Sequence, residues 1–386
     1  MWELSLLLLP VAAFSGWFAA RRHQTKLRRR SNSRLPTSYL ARLNQLLLEH
    51  KADKAVDAFL RLSDIDKDTI ETHFALASLF RRQGEVDRAI RIHQYLIEHS
   101  NLSNEQRHYS LFQLAYDYLH AGLLDRAESL FLELVNQRGY REKSLRKLME
   151  IYEQQRDWEQ AIKIAEGLAD ESHQSMAMQI AHYYCELGEK ARDEEDLVRM
   201  QDEVQQALRI NPISVRANIL SAELAIEQRR YKSALRAYQR MVGEHSHFIP
   251  AILDSITSCY QHLGSEPEYF DLIMTCLQQV GSTAAVVSVL DKLPILQTDA
   301  VTQPSIMRQL QMSPSIWGLQ ALIRFYMQDN KESKDLPVLY EIVQRIVTEH
   351  PLYCCANCGF TSKVSLWWCP GCKSWETIKP LSKLVN

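Results

Sequence analysis

Residues 74–89 read FALASLFRRQGEVDRA and residues 112–127 read FQLAYDYLHAGLLDRA. In each stretch a small residue (Ala77, Ala115) is followed seven positions later by glycine (Gly84, Gly122) and five after that by alanine (Ala89, Ala127). Small side chains let two helices cross closely, and glycine accepts the positive φ needed where a chain leaves one helix for the next. The pattern therefore predicts pairs of antiparallel helices that stack on their neighbours. The same register recurs in units beginning near Pro36 (Ala55), Ile70, His108, Glu142 (Trp158, Ala161), Gln174 (Ala181, Gly188), Val215 (Ala222, Ala234) and Pro250 (Gly264).

A period of about 34 residues with these small positions resembles the tetratricopeptide repeat. The unit that starts near Gln174 departs from it, because Ala207 and Pro212 imply about seven extra residues around Lys190–Arg199. That stretch contains the run Asp193-Glu194-Glu195-Asp196, which reads as a solvated face. From 281 to 350 the register fades, with Pro294, Pro304 and Pro314 breaking the segment. Residues 317–327 and 336–347 still repeat apolar side chains at helical spacing.

Near the end, Cys355-Ala-Asn-Cys358-Gly and Cys369-Pro-Gly-Cys372 form two C-x-x-C pairs separated by ten residues. Each pair places two sulfurs on one tight turn, and two facing turns close a tetrahedral four-sulfur cage. A thioredoxin-type redox pair would not come doubled, and a disulfide framework does not suit a chain whose body is read below as cytoplasmic. Tyr353, Phe360, Trp367, Trp368 and Trp375 fall within 23 residues, the apolar supply that a very small domain needs around a metal. The segment resembles rubredoxin-type knuckles that grip one iron or zinc ion, and four-sulfur ligation alone does not separate the two metals. Its spacer is much shorter than in electron-transfer rubredoxins, which favours a structural cage. Cys354 reads as a bystander, and Cys185, Cys259 and Cys276 as isolated apolar side chains within helical patterns. The few residues between the last helical pattern and the knuckles predict that the tail docks against the helices of 281–350.

At the other end, Leu4–Ala20 carries no charge and is followed by Arg21, Arg22, Lys26, Arg28, Arg29, Arg30 and Arg34. Seventeen residues rise about 25 Å as a helix, the short limit for a membrane span, with Trp2 and Trp17 positioned for the two interfaces. A cleavable signal would place its positive charges before the apolar run. The basic flank places everything after it on the cytoplasmic side. Of the net charge of −2, residues 21–42 contribute +8 and Glu3 −1, leaving −9 for residues 43–386. An acidic body argues against nucleic acid as partner.

Catalytic signatures are missing. There is no G-x-x-x-x-G-K-[ST], G-x-G-x-x-G, H-E-x-x-H or G-x-S-x-G, and the close pair His245/His247 lies in a predicted loop. The expected fold is all-α, a tetratricopeptide-repeat superhelix with an N-terminal transmembrane helix and a small C-terminal rubredoxin-like four-cysteine knuckle. Its parts are an anchor (1–20), a basic cytoplasmic stem (21–35), repeats (36–280), degenerate helical repeats (281–350) and a metal-binding domain (351–386).

This order of parts, with the Cys355–Pro380 tail as its most specific element, resembles the lipopolysaccharide assembly protein B family. The resemblance implies a non-catalytic adaptor on the cytoplasmic side of the inner membrane, with Cys355, Cys358, Cys369 and Cys372 holding one iron or zinc ion. It also implies that the adaptor promotes proteolysis of the deacetylase LpxC by the membrane protease FtsH, and gathers other lipopolysaccharide-synthesis proteins. A repeat array is compatible with homo-oligomers. The alternative is a membrane-tethered rubredoxin-like redox protein.

Overall fold

The computed structural model describes residues 67–99, 102–172, 176–242, 249–264, 311, 316–329, 335–349, 351 and 353–381. The anchor, the basic stem, the unit near Pro36, His245, His247 and Cys276 all lie outside them. No helix among the described residues is long and apolar enough to cross a membrane. The chain divides into two compact units, Met1–Gln155 and Arg156–Asn386.

In the first unit, helices α1 (Lys67–Arg82), α2 (Val86–His99), α3 (Asn104–His120), α4 (Leu124–Val135) and α5 (Arg141–Gln155) run as successive neighbours. Ala77, Ala89, Ala115 and Ala127 are fully buried at the helix crossings. Gly84 and Gly122 leave α1 and α3 at φ +82° and +74°. There the Glu85 N–H reaches back to the Phe80 carbonyl and the Leu123 N–H to that of Tyr118, both at 2.9 Å, which caps orphan carbonyls of the helix end. α3 opens with a capping box between Ser103 and Gln106. Asp117 is buried and shared by Arg81 (2.7 Å) and His93, so its charge is compensated where water cannot reach it.

The second unit continues with α6 (Trp158–Ser172), α7 (Ala177–Asp193), α8 (Leu197–Ile210), α9 (Val215–Glu227), α10 (Tyr231–Val242), α11 (Ile249–Leu263), α12 (Ile316–Asp329) and α13 (Asp335–Glu349). A three-stranded antiparallel sheet ends it, in the order β2 (Thr361–Ser362), β1 (Tyr353–Cys355), β3 (Ile378–Pro380). Ala181, Ala222 and Ala234 again sit fully buried at crossings.

The inserted residues in α7 have a plain outcome. The register equates Gly188 with the turn glycine, yet Gly188 lies inside α7, and the turn falls seven residues later at Glu195, φ +60°. At 17 residues α7 is no longer than α3, so relative to the register the whole helix starts and ends seven residues late. Gly188 serves instead as a point of close approach, since a Cβ there would meet Val204 Cγ2 at 3.3 Å. Within the exposed acidic run, Asp196 caps α8 by accepting the Arg199 N–H at 3.0 Å. Between α7 and α9, buried Arg216 lies 2.7 Å from Glu186 and 2.8 Å from Glu189, a bridge that ties the two helices together.

Two glycines separate conformational strain from helix propensity. Gly122 has open space around it but a positive φ, so Gly122→Ala is expected to lower stability by about 1 kcal/mol. Gly167 sits inside α6, also with open space, and Gly167→Ala is expected to raise stability by up to about 1 kcal/mol. Thermal unfolding of the two variants should shift the midpoint in opposite directions; equal shifts would contradict the turn assignment.

Candidate metal centre

Each knuckle is a tight turn whose next residue adopts a left-handed conformation. After Cys358 comes Gly359 at φ +77°, and after Cys372 comes Lys373 at φ +57°. In the first turn the Gly359 N–H donates to the Cys355 carbonyl at 3.0 Å; in the second the Lys373 N–H donates to the Cys369 carbonyl at 2.8 Å. Pairing of Cys355 with Ile378 fastens the first turn to β3, and an isolated bridge between Trp368 and Trp375 closes the second. Asn357 links the turns through Ser374 Oγ at 3.4 Å.

The four sulfurs of Cys355, Cys358, Cys369 and Cys372 all lie within 4.8 Å of one another. Cys355 and Cys372 are 3.6 Å apart, as are Cys358 and Cys369. Metal–sulfur bonds of about 2.3 Å in a tetrahedron require sulfurs about 3.8 Å apart, so the donor set fits a tetrahedral thiophilic ion. Gly371 keeps the cage open, because a Cβ there would press on Cys358 Sγ at 3.3 Å. A four-cysteine metal-binding site is therefore present.

Around the cage, hydrogen bonding favours thiolates unevenly. The Ser374 side chain holds Cys372 down to about 6, and Thr377, 3.3 Å from Cys355, lowers that thiol as well. Cys358 receives the Phe360 N–H, which lowers it, but desolvation and the neighbouring sulfurs prevail and push it up to about 12. Cys354 stands outside the cage, its Sγ 3.7 Å from the Cys355 carbonyl. Cys185 and Cys259 are buried, and burial pushes the Cys185 thiol up to about 12, which leaves it inert.

Among the described residues the tail touches both the helix just before it and a much earlier part of the array. Its contact with α13 runs through Lys363 Nζ, which donates to the Thr348 carbonyl at 2.9 Å. The aromatic surface goes elsewhere, onto α6 and α7. Trp375 is 6% exposed and stacks on fully buried His182, with centroids 4.7 Å apart and planes 18° from parallel. Its edges meet Trp158 and Tyr183 at 6.2 and 5.9 Å, and those two rings stack on each other. Glu376 Oε1 reaches His182 Nε2 at 3.0 Å, while Trp367 packs against the α9–α11 core. Among the described residues, the tail thus meets the segment 281–350 at α13 and places its aromatic side chains on α6, α7 and the α9–α11 core. The knuckle's own core is only Cys355, Cys369 and Ile378 with a few half-buried neighbours, and the repeat core supplies the apolar area that it lacks. Trp158 and Trp375 are visible in the sequence as aromatic residues. Nothing in sequence spacing pairs them, and His182 gives no signal at all.

The rubredoxin metal binding domain family matches residues 353–380, and the tetratricopeptide repeat family matches residues 72–104. Lipopolysaccharide assembly protein B of Escherichia coli K12 is 35% identical over 387 residues, covering 100% of this chain and 99% of that protein. The chain belongs to the lipopolysaccharide assembly protein B family. The Haemophilus influenzae member of that family is 33% identical, with 99% of each chain covered. Among solved structures, a tetratricopeptide repeat protein from Parabacteroides merdae is 12% identical and covers 71% of this chain and 98% of its own, with a TM-score of 0.32. The C-terminal part of a repeat protein from Cytophaga hutchinsonii is also 12% identical, covering 69% and 98%, with a TM-score of 0.35.

Two predictions follow from this geometry. Replacing any one of the four cage cysteines by serine should lose stoichiometric metal, whereas Cys354→Ser should retain it. Binding requires thiolates, so protons compete with the metal and its affinity should fall as the pH is lowered. Metal analysis across a pH series checks both points, and full retention in any of the four variants excludes that residue as ligand.

Removing the metal should free Trp375 and loosen its platform. Faster amide exchange is expected in residues 158–193, more than in 335–349. Unchanged exchange on α6 and α7 would show that the dock survives without the cage.

Proposed function

We propose that this protein is a non-catalytic adaptor of lipopolysaccharide synthesis at the cytoplasmic face of the inner membrane. The observation that carries the reading is the end-to-end similarity to relatives named lipopolysaccharide assembly protein B, at 35% identity. Repeats and knuckle are both present, and a repeat array offers extended helix faces to partner proteins. In this reading the protein brings LpxC to the protease FtsH and so promotes LpxC turnover, and it gathers other lipopolysaccharide-synthesis or regulatory membrane proteins. Leu4–Ala20 is the anchor and the basic residues after it hold the body inside. Tethering confines both partners to one surface and raises their effective concentration without any new contact.

Cys355, Cys358, Cys369 and Cys372 hold a single iron or zinc ion, which when bound cross-links the two knuckle turns. The chain's own residues do the rest. Trp375 and Glu376 fix the closed knuckle on His182, so the cage braces the helices around α6 and α7 rather than transferring electrons.

Deleting Met1–Ala20 should leave a folded helical protein and lengthen the cellular half-life of LpxC several-fold, measured by pulse-chase. Crosslinking in intact membranes should recover FtsH and LpxC with the full chain and much less with the deletion. An unaltered LpxC half-life, or neither protein among the captured partners, would overturn the reading.

A further inference from the structure

The four sulfurs of the cage are not equally open to water. Cys355 and Cys369 are buried, at 2% and 0% exposure, and Cys372 is half-buried, whereas Cys358 is exposed. A Cβ at position 371 would stand 3.3 Å from Cys358 Sγ, so glycine there leaves that sulfur open. A reagent that arrives from solvent meets Cys358 first.

Hydrogen bonding singles out the same sulfur. Cys355 Sγ lies 3.3 Å from the Thr377 hydroxyl and receives the Cys358 and Asn357 N–H groups. Cys372 is met by the Ser374 hydroxyl, the Ser374 N–H and the Asn357 side-chain amide. Among the described residues, Cys358 has the Phe360 N–H as its donor, besides the neighbouring sulfurs. Each donor draws charge from a metal-bound sulfur and makes it a poorer nucleophile. In the loaded cage all four sulfurs are thiolates, so exposure and hydrogen bonding, rather than proton affinity, rank their reactivity.

We propose that Cys358 is an oxidation site: its sulfur attacks hydrogen peroxide, and Cys369 of the other knuckle, 3.6 Å away, converts the product into a Cys358–Cys369 disulfide that releases the metal. In the first step an S–O bond forms, the O–O bond breaks and hydroxide leaves, which gives a sulfenic acid on Cys358. In the second the Cys369 thiolate attacks that sulfur, the S–S bond forms, the S–O bond breaks and a second hydroxide leaves. The two thiolates lose two electrons in all, and these reduce one peroxide to two hydroxide ions. A divalent ion left with Cys355 and Cys372 alone has lost half of its ligand set and dissociates. Cys354 is also half-buried, but its sulfur stands at the Cys355 carbonyl outside the cage and serves in neither step. The inference does not depend on the adaptor reading.

The test uses the full chain in detergent, loaded with zinc because that ion has no redox chemistry of its own. Millimolar hydrogen peroxide is added with a chromogenic zinc chelator, and in a parallel sample dimedone traps sulfenic acid for mass spectrometry. Zinc should be released faster with peroxide than without, and the dimedone adduct on Cys358 should exceed that on any other cysteine about fivefold. Without dimedone, the first disulfide to form should join Cys358 to Cys369, with Cys355 and Cys372 still open to alkylation. Dithiothreitol followed by zinc should then restore stoichiometric metal. Cys354→Ser should release zinc at the parent rate, and its circular dichroism before oxidation should match the parent, which keeps a folding defect from posing as a change in reactivity. Equal zinc release with and without peroxide overturns the proposal, as does a principal adduct on Cys372 or Cys354 or a first disulfide between any other pair. Slower release from Cys354→Ser overturns it too, since Cys354 would then be the thiol through which the oxidant enters.

Discussion

The stack of Trp375 on His182 joins two modules that are stabilised in different ways. A repeat array gains stability from each pair of helices that buries its small residues against the next. A knuckle of about thirty residues has almost no core of its own, and below about forty residues a metal, a disulfide or a partner surface is usually needed. Here two of these act together. The cage fixes the turns that present Trp367 and Trp375, and the repeat helices give those rings somewhere to be buried. The two supports meet in the same rings, which lie next to the cage in sequence and on the repeat helices in space.

Much of this was legible in the sequence, and the reason is chemical specificity. Ala77, Gly84 and Ala89 announce a helix crossing and a left-handed turn because few other residues serve there, and paired C-x-x-C turns have few uses besides a metal. Legibility ended where the fold tolerated substitutes. The turns at Arg156, Glu195 and Arg229 adopt φ of +57°, +60° and +57° with ordinary side chains. Each costs on the order of 1 kcal/mol and leaves no glycine to read. Gly188 misled in the opposite sense, since its small size served a close approach to Val204 and not a turn.

Short linkers constrain where a chain can go next, but they do not choose among the surfaces within reach. Lys363 of the tail meets α13, while its indoles settle on an aromatic platform laid down much earlier in the chain. Burial of large rings outweighs proximity, because a buried Trp gains several times what a surface hydrogen bond supplies. Only the folded geometry reveals that preference. Site assignment shows the same division: the ligand set was readable, and its platform was not.

The contact between His182 and Glu376 spans 194 residues of chain. At a synthesis rate of roughly 5–20 residues per second, Trp158, His182 and Tyr183 leave the ribosome about ten seconds or more before the ring that covers them exists. During that interval the nascent repeats carry an uncovered aromatic patch, the kind of surface that invites association between unfinished chains. Assembly of this molecule is thus sensitive to events at its far end: a chain that stops early, or that lacks metal when its last knuckle emerges, keeps that patch exposed for its lifetime.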